Sequence, residues 1–139
     1  MTGGSLDADA EAFLRKAGES LKGAESEFAN GQYNNCANRA YYSAFQAAIS
    51  ALARAGVRPT TANQEWGHAF VQSQFVGLLI NRRKTYSGEL RNTLSQLIIL
   101  RELADYETGE VTHNQALRSV TRARTLVEAV ENAIQGGRR

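Results

Sequence analysis

Apolar residues return at three- and four-residue intervals along most of the chain, and strand-like alternation is found nowhere. Phe13, Leu14, Ala17, Leu21, Ala24 and Phe28 predict a first helix over about 7–29, with Asp7 or Asp9 near its cap and Asn30-Gly31 at its end. A second helix is expected from near Asn34 to Gly56, where glycine tolerates a left-handed cap and Pro59 blocks continuation. After a short loop through Thr60 and Thr61, Trp66, Phe70, Val71, Phe75, Val76, Leu78 and Leu79 predict a third helix between about Gln64 and Asn81. Arg82-Arg83-Lys84 and Ser87-Gly88 mark a break. The fourth helix then runs from about Glu89 to Tyr106 on the stripe Leu90, Leu94, Leu97 and Ile98. Thr112-His113-Asn114-Gln115 opens the fifth as a capping box, in which threonine and glutamine satisfy orphan backbone donors. Five helices joined by short loops define an all-α antiparallel bundle.

The second helix is apolar on two sides. Ala37, Tyr41, Ala44, Ala48, Ala51 and Ala55 form one stripe; Tyr42, Phe45, Ile49 and Leu52 form another. Such a helix is buried on two sides, its alanines admitting a close neighbour and its aromatic stripe facing another helix or a second subunit. Arg39, Ser43, Gln46 and Ser50 remain as a narrow polar edge.

The chain's 139 residues suit one domain that buries about two-thirds of its unfolded surface, with a core over about 7–135 and a flexible tail over 136–139. A single proline and abundant Ala, Leu, Glu, Gln and Arg agree with helices throughout. One cysteine, Cys36, excludes an internal disulfide framework and a cysteine-based metal cluster, and reads as a small buried hydrophobe. The first ten residues carry two acids and no apolar core, unlike a signal peptide, and no apolar run is long enough to span a bilayer. An intracellular, cytoplasmic protein is expected. A formal net charge of +2 falls short of the dense basic patch of a dedicated nucleic-acid binder.

Candidate chemistry gathers at two arginines. Arg39 either snorkels or forms a salt bridge, with the tyrosines as core, or it lines a polar groove. Arg101 shares a side with Leu94 and Leu97, so it needs a partner. Asp105, four residues on, supplies one; a bound anion such as phosphate is the alternative. Tyr106 lies about 140° around the helix from Arg101, flanking the site. His68 is either a helix-start residue with one nitrogen hydrogen-bonded, or part of a composite site with Arg39 or Arg101. His113 falls in the capping box and is expected to be exposed. Arg82-Arg83-Lys84 reads as a solvated turn that could steer RNA beside Lys22, Arg91 or the C-terminal arginines. No spacing of histidines and carboxylates makes a metal site, and no phosphate loop or nucleophile elbow is present.

Arg39-Ala40-Tyr41-Tyr42, Gly67-His68 and Arg101-Glu102-Leu103-Ala104-Asp105-Tyr106 follow in an order that resembles the HEPN family of small prokaryotic helical proteins. The likeness covers about Leu14 to Ala133 and is nearest to a short branch with these segments. It implies a five-helix domain, a homodimer, and nucleotide or RNA binding without a cofactor, beside a minimal nucleotidyltransferase partner in a toxin-antitoxin-like or defence system. Many members resemble one another in a ribonuclease signature: arginine, four to six residues, then histidine. Here the residue at the shortest spacing from Arg101 is Tyr106, no histidine follows up to Thr108, and neither Arg54 to His68 nor Arg101 to His113 fits. Tyrosine, with an ordinary pKa of about 10, is a poor substitute for a histidine cycling protons near neutrality.

Three functions follow. In a phosphate-binding module, Arg39 and Arg101 would contact phosphate in a cleft between helices two and four, Tyr42 or Tyr106 would stack or hydrogen-bond, and Asp105 would orient Arg101. A metal-independent toxin endoribonuclease would use Arg101 with Tyr106 or a remote His68. A structural interaction domain would use the arginines only to close salt bridges. No catalytic residue is assigned.

Overall fold

The protein is described by a computed structural model covering residues 2–60 and 65–136, with side chains from Asp7 onward. Five α-helices account for most of it: α1 (Thr2–Ala29), α2 (Tyr33–Arg54), α3 (His68–Gln74), α4 (Thr93–Asp105) and α5 (His113–Gly136). No strand occurs among the described residues. Thr61 and Gln64, in the expected loop and third helix, and Gly137, Arg138 and Arg139, in the expected tail, lie outside the described residues.

The centre of the bundle is α2, which packs against α1, α4 and α5. Against α1 the contact is unusually intimate. Ala10, Ala17 and Ala24, seven residues apart on α1, are fully buried, as are Cys36, Ser43 and Ser50, seven apart on α2. Ser50 Oγ donates to Ala10 O at 2.6 Å and Ser43 Oγ to Ala17 O at 2.8 Å, which fixes an antiparallel register. The same register carries on to Ala24 and Cys36, whose thiol reaches Ala116 O of α5 at 3.8 Å. Ser43 and Ser50 therefore do not form an exposed polar edge. Each hydroxyl finds its acceptor in the main chain of α1, which removes the cost of burying it. Cys36 is the buried hydrophobe its surroundings implied, and burial pushes its thiol up to about 11.

Several ends differ from the periodicity. Helix α1 begins at Thr2, so Asp7 and Asp9 lie within it; extending a formed helix by a residue costs far less than nucleating one. Helix α2 stops at Arg54, and Gly56 (φ +87°) turns the chain so that Val57 N bonds Leu52 O at 2.9 Å. The third segment begins at His68 and changes at Phe75 into a π-helical stretch, Phe75–Arg82. Its wider turn keeps Phe75, Leu79 and Ile80 on the buried side together. Gly88–Leu90 is a separate 3₁₀ turn, with Glu89 N held by Ser87 Oγ at 3.2 Å, and α4 starts only at Thr93. Leu90, Leu94 and Leu97 are buried as expected. The capping box is formed in both directions: Gln115 N donates to Thr112 Oγ1 at 3.1 Å, and Thr112 N donates to Gln115 Oε1 at 2.9 Å.

Two contacts set the C-terminal end of α4 against the N-terminal end of α2. Asn34 accepts from Val111 N at 2.9 Å and donates to Gly109 O at 3.3 Å, holding the α4–α5 connection. Gly109 passes so close to Leu103 O that a Cβ would sit 1.9 Å from it, so only glycine fits. Arg124 of α5 closes the far side with a 2.7 Å ion pair to Glu25 of α1.

The α1–α2 seam makes a graded prediction. Ser43→Ala should cost about 1 kcal/mol, the net worth of one hydrogen bond. Ser43→Leu should cost about 3 kcal/mol or more, because the helices must separate to admit it. Urea denaturation of the two variants checks the ranking.

Candidate functional site

Helix α2 presents three successive directions at its N-terminal half. Arg39 points toward α1, where Gly23 leaves room for its side chain; a Cβ there would meet Arg39 Cδ at 3.1 Å. Tyr41 points inward and is 3% exposed. Asn38 and Tyr42, one turn apart, form the ridge between the α1 side and the α4 side.

Beside α1 lies a cleft of about 540 Å³ lined by Ser20, Glu27, Asn35, Asn38, Arg39, Tyr42 and Gln46. Arg39 is exposed there and has no ion pair among the described residues. Gln46 forms the floor. With its amide oriented to donate, Nε2 reaches Ser20 Oγ at 2.8 Å, Lys16 O at 3.1 Å and Tyr42 O at 3.2 Å. Tyr42, 41% exposed, offers much of its ring at the rim.

On the other side of the ridge, α4 brings Arg101 over the two tyrosines. Its guanidinium carbon lies 5.3 Å from the centre of the Tyr41 ring and 5.2 Å from that of Tyr42, within cation–π range. The expected pair with Asp105 is present but long, 3.5 Å from Nε to Oδ2. That nitrogen is buried and has no hydrogen bond, so the attraction is Coulombic without a well-aligned hydrogen bond. Asp105 instead accepts its short bond, 2.9 Å, from Asn38.

Tyr41 carries the site one step deeper. Its hydroxyl and His68 Nδ1 are 2.9 Å apart, and its ring stacks with Phe45 at 5.6 Å. His68 is the first residue of α3, as a helix-start histidine with one bonded nitrogen should be, and it is also joined to Arg101 through Tyr41. Burial pushes the Tyr41 hydroxyl up to about 12, against the opposing pull of the Arg101 charge.

The candidate residues are thus not all in one place. The cleft that holds Arg39 lies between α1 and α2 rather than between helices two and four, because Gly23, beside the tight α1–α2 seam, leaves room for its side chain. Arg101, Asp105 and His68 gather behind it around Tyr41, and Tyr42 touches both groups. Tyr106 joins neither. It is the C-cap of α4 with ψ 139° and is 69% exposed, because the chain leaves the helix there to reach Gly109. Residue patterning set Gln46 on the polar edge beside Arg39, but it missed Asn38 and the polar role of Tyr41. The one signal for Asn38 was its position a turn before Tyr42. His113 is exposed, its ring against Phe28 and Tyr33 at 5.0 and 5.5 Å. Arg82, Arg83 and Lys84 form an exposed turn with Lys84 at φ 54°.

The fold and site define a small all-α protein built around a central helix, with two arginines set on either side of a tyrosine ridge. A model of the HEPN domain matches residues 10–133, and the chain belongs to the HEPN-domain family. No curated protein matches the sequence. No described helix is long and apolar enough to cross a membrane.

The raised Tyr41 value has a pH consequence. The neutral phenol is favoured in the fold, so its contribution is complete below about pH 10, where the unfolded group titrates, and is lost as pH rises toward 12. Tyr41→Phe should lower stability by about 1 kcal/mol at pH 8. It should also flatten the decline measured by urea denaturation between pH 9 and pH 11.

Proposed function

We propose that this HEPN-domain protein binds the phosphate of a nucleotide or RNA strand in the α1–α2 cleft. The observation that carries this reading is Arg39, an exposed guanidinium without a carboxylate partner among the described residues, in a polar cleft beside the half-exposed ring of Tyr42. Arginine matches phosphate with paired donors, and an exposed tyrosine face accepts a stacked base regardless of its identity. Arg101 stands behind the ridge as a second cation. Asp105 and the two tyrosine rings orient it without a well-formed hydrogen bond.

In this reading the protein works as a homodimer beside a minimal nucleotidyltransferase in a toxin-antitoxin-like or defence system, within the cytoplasm. The nucleotidyltransferase and the system rest on the family likeness. For the dimer there is apolar footing in Ile99 of α4, 62% exposed, and Leu117 of α5, 44% exposed.

One observation favours a second reading, metal-independent RNA cleavage. His68 arrives from a distant part of the chain to bond Tyr41 beneath Arg101, so a histidine does stand near the arginine although the linear signature is absent.

Fluorescence anisotropy of labelled oligonucleotides, with cleavage followed in chelator, separates these. Arg39→Ala should weaken binding at least tenfold and reduce its salt dependence, while Tyr42→Ala should remove a stacking contribution of about 1–3 kcal/mol. Unchanged affinity in Arg39→Ala would overturn the cleft assignment. Cleavage lost in both Arg101→Ala and His68→Ala would establish the nuclease reading.

A further inference from the structure

A second pocket lies at the opposite end of α2. Its volume is about 230 Å³, and three parts of the chain meet there: the last turn of α2, the end of the π-helical stretch with the turn after it, and the last turns of α5. Leu79 and Ile134 supply an apolar floor, and Arg54, Arg83, Thr85 and Tyr86 supply the polar wall.

The wall carries two guanidiniums, one half-buried and one exposed, beside a buried tyrosine. Arg54 is half-buried and has neither a carboxylate nor a hydrogen-bond partner among the described residues. Arg83 donates to Ala55 O at 3.2 Å, which occupies one of the five N–H donors of its guanidinium. Tyr86 is 8% exposed, its ring against Phe75 at 5.2 Å, and its hydroxyl has no hydrogen-bond partner among the described residues. The backbone forces this arrangement. Leu79 O accepts from both Thr85 N, at 2.8 Å, and Tyr86 N, at 3.3 Å, which folds the chain back and carries the tyrosine into the pocket.

These features select a ligand by elimination. A neutral apolar molecule would cover the half-buried Arg54 guanidinium without pairing it. A doubly charged phosphate would leave the apolar floor uncovered, and the carbonyl end of α2, where the helix dipole opposes negative charge, weighs more against two charges than against one. A single carboxylate satisfies the paired donors, and an apolar body covers Leu79 and Ile134. The volume corresponds to about seven or eight waters of liquid, room for a body of one ring or a short branched chain. We propose that the pocket formed by Arg54, Arg83, Tyr86, Leu79 and Ile134 is a binding site for a small organic monocarboxylate with an apolar body, separate from the Arg39 cleft. Its occupant ties α2, the π-helical stretch and α5 together.

Benzoate is the probe, with benzamide as its uncharged counterpart and inorganic phosphate as its apolar-free one. Calorimetry on the full chain should show benzoate binding, weaker binding of both controls, and a rise in melting temperature with benzoate concentration. Arg54→Gln should weaken benzoate at least tenfold, and Tyr86→Phe should weaken it by a smaller factor. Arg39→Ala should leave benzoate binding unchanged, which distinguishes this pocket from the α1–α2 cleft. Arg83 also holds the end of α2, so the Arg54 variant, checked for a native melting transition, decides the question. No benzoate binding at millimolar concentration, equal affinity in Arg54→Gln, loss in Arg39→Ala, or phosphate binding as tightly as benzoate would each overturn the proposal.

Discussion

The rest of the molecule depends on how closely α1 approaches α2. Large side chains normally hold helices 8–10 Å apart. Here alanines on one helix meet serines and a cysteine on the other, and two serine hydroxyls reach across to main-chain carbonyls of α1. These bonds are directional where apolar packing is not, so they set the rotation and register of α2 as well as its distance. Once α2 is fixed, so are the directions of everything it carries. An alanine-rich helix can then be enclosed by α1, α4 and α5, because α4 and α5 bring the larger buried side chains, among them Leu97 and Leu126.

The polar face follows from that rotation. Successive residues on a helix are 100° apart, so Tyr41 lies well around the helix from Arg39, while Tyr42, three residues on, returns beside it at the cleft. Arg39 falls on the α1 side beside the tight seam, where Gly23 leaves room; Tyr41 falls inward; Tyr42 remains on the ridge. Helix α4 is set against this face by contacts outside the site, the Asn34 clamp on the connection and the forced approach of Gly109 to Leu103. The position of Arg101 over the tyrosine rings is thus a consequence of a loop held from the first turn of α2.

Helical periodicity was enough to read five helices and the capping box, because each depends on neighbours three or four residues away. The α1–α2 seam was written in the sequence as small residues at seven-residue spacing. Hydropathy reasoning gives most weight to large side chains, and so it placed Ser43 and Ser50 on an outer edge. The change to π-helical bonding at Phe75 was not legible, since apolar residues at 75, 79 and 80 fit a helix of either period roughly as well. The family likeness rested on two arginine segments and a Gly-His pair whose order could be read directly. Their distribution around α2 could not be, because it depends on contacts such as Tyr41 to His68 across 27 residues.

The competition around Asp105 bears on how Arg101 could serve a phosphate. A carboxylate paired only with an arginine would be left desolvated and uncompensated if that arginine turned to a ligand, at a cost of several kcal/mol for a buried pair. Asp105 is exposed and already accepts a 2.9 Å bond from Asn38, while its contact with Arg101 is 3.5 Å and poorly aligned. Releasing the arginine therefore costs little. The tyrosine rings hold the guanidinium by attraction to their π faces rather than by hydrogen bonds, so its donors are not committed to them. Tyr41 itself does not supply a base near neutral pH, since its hydroxyl is pushed up to about 12. Any proton transfer at this face must involve another group, and His68 is the one that Tyr41 holds in place.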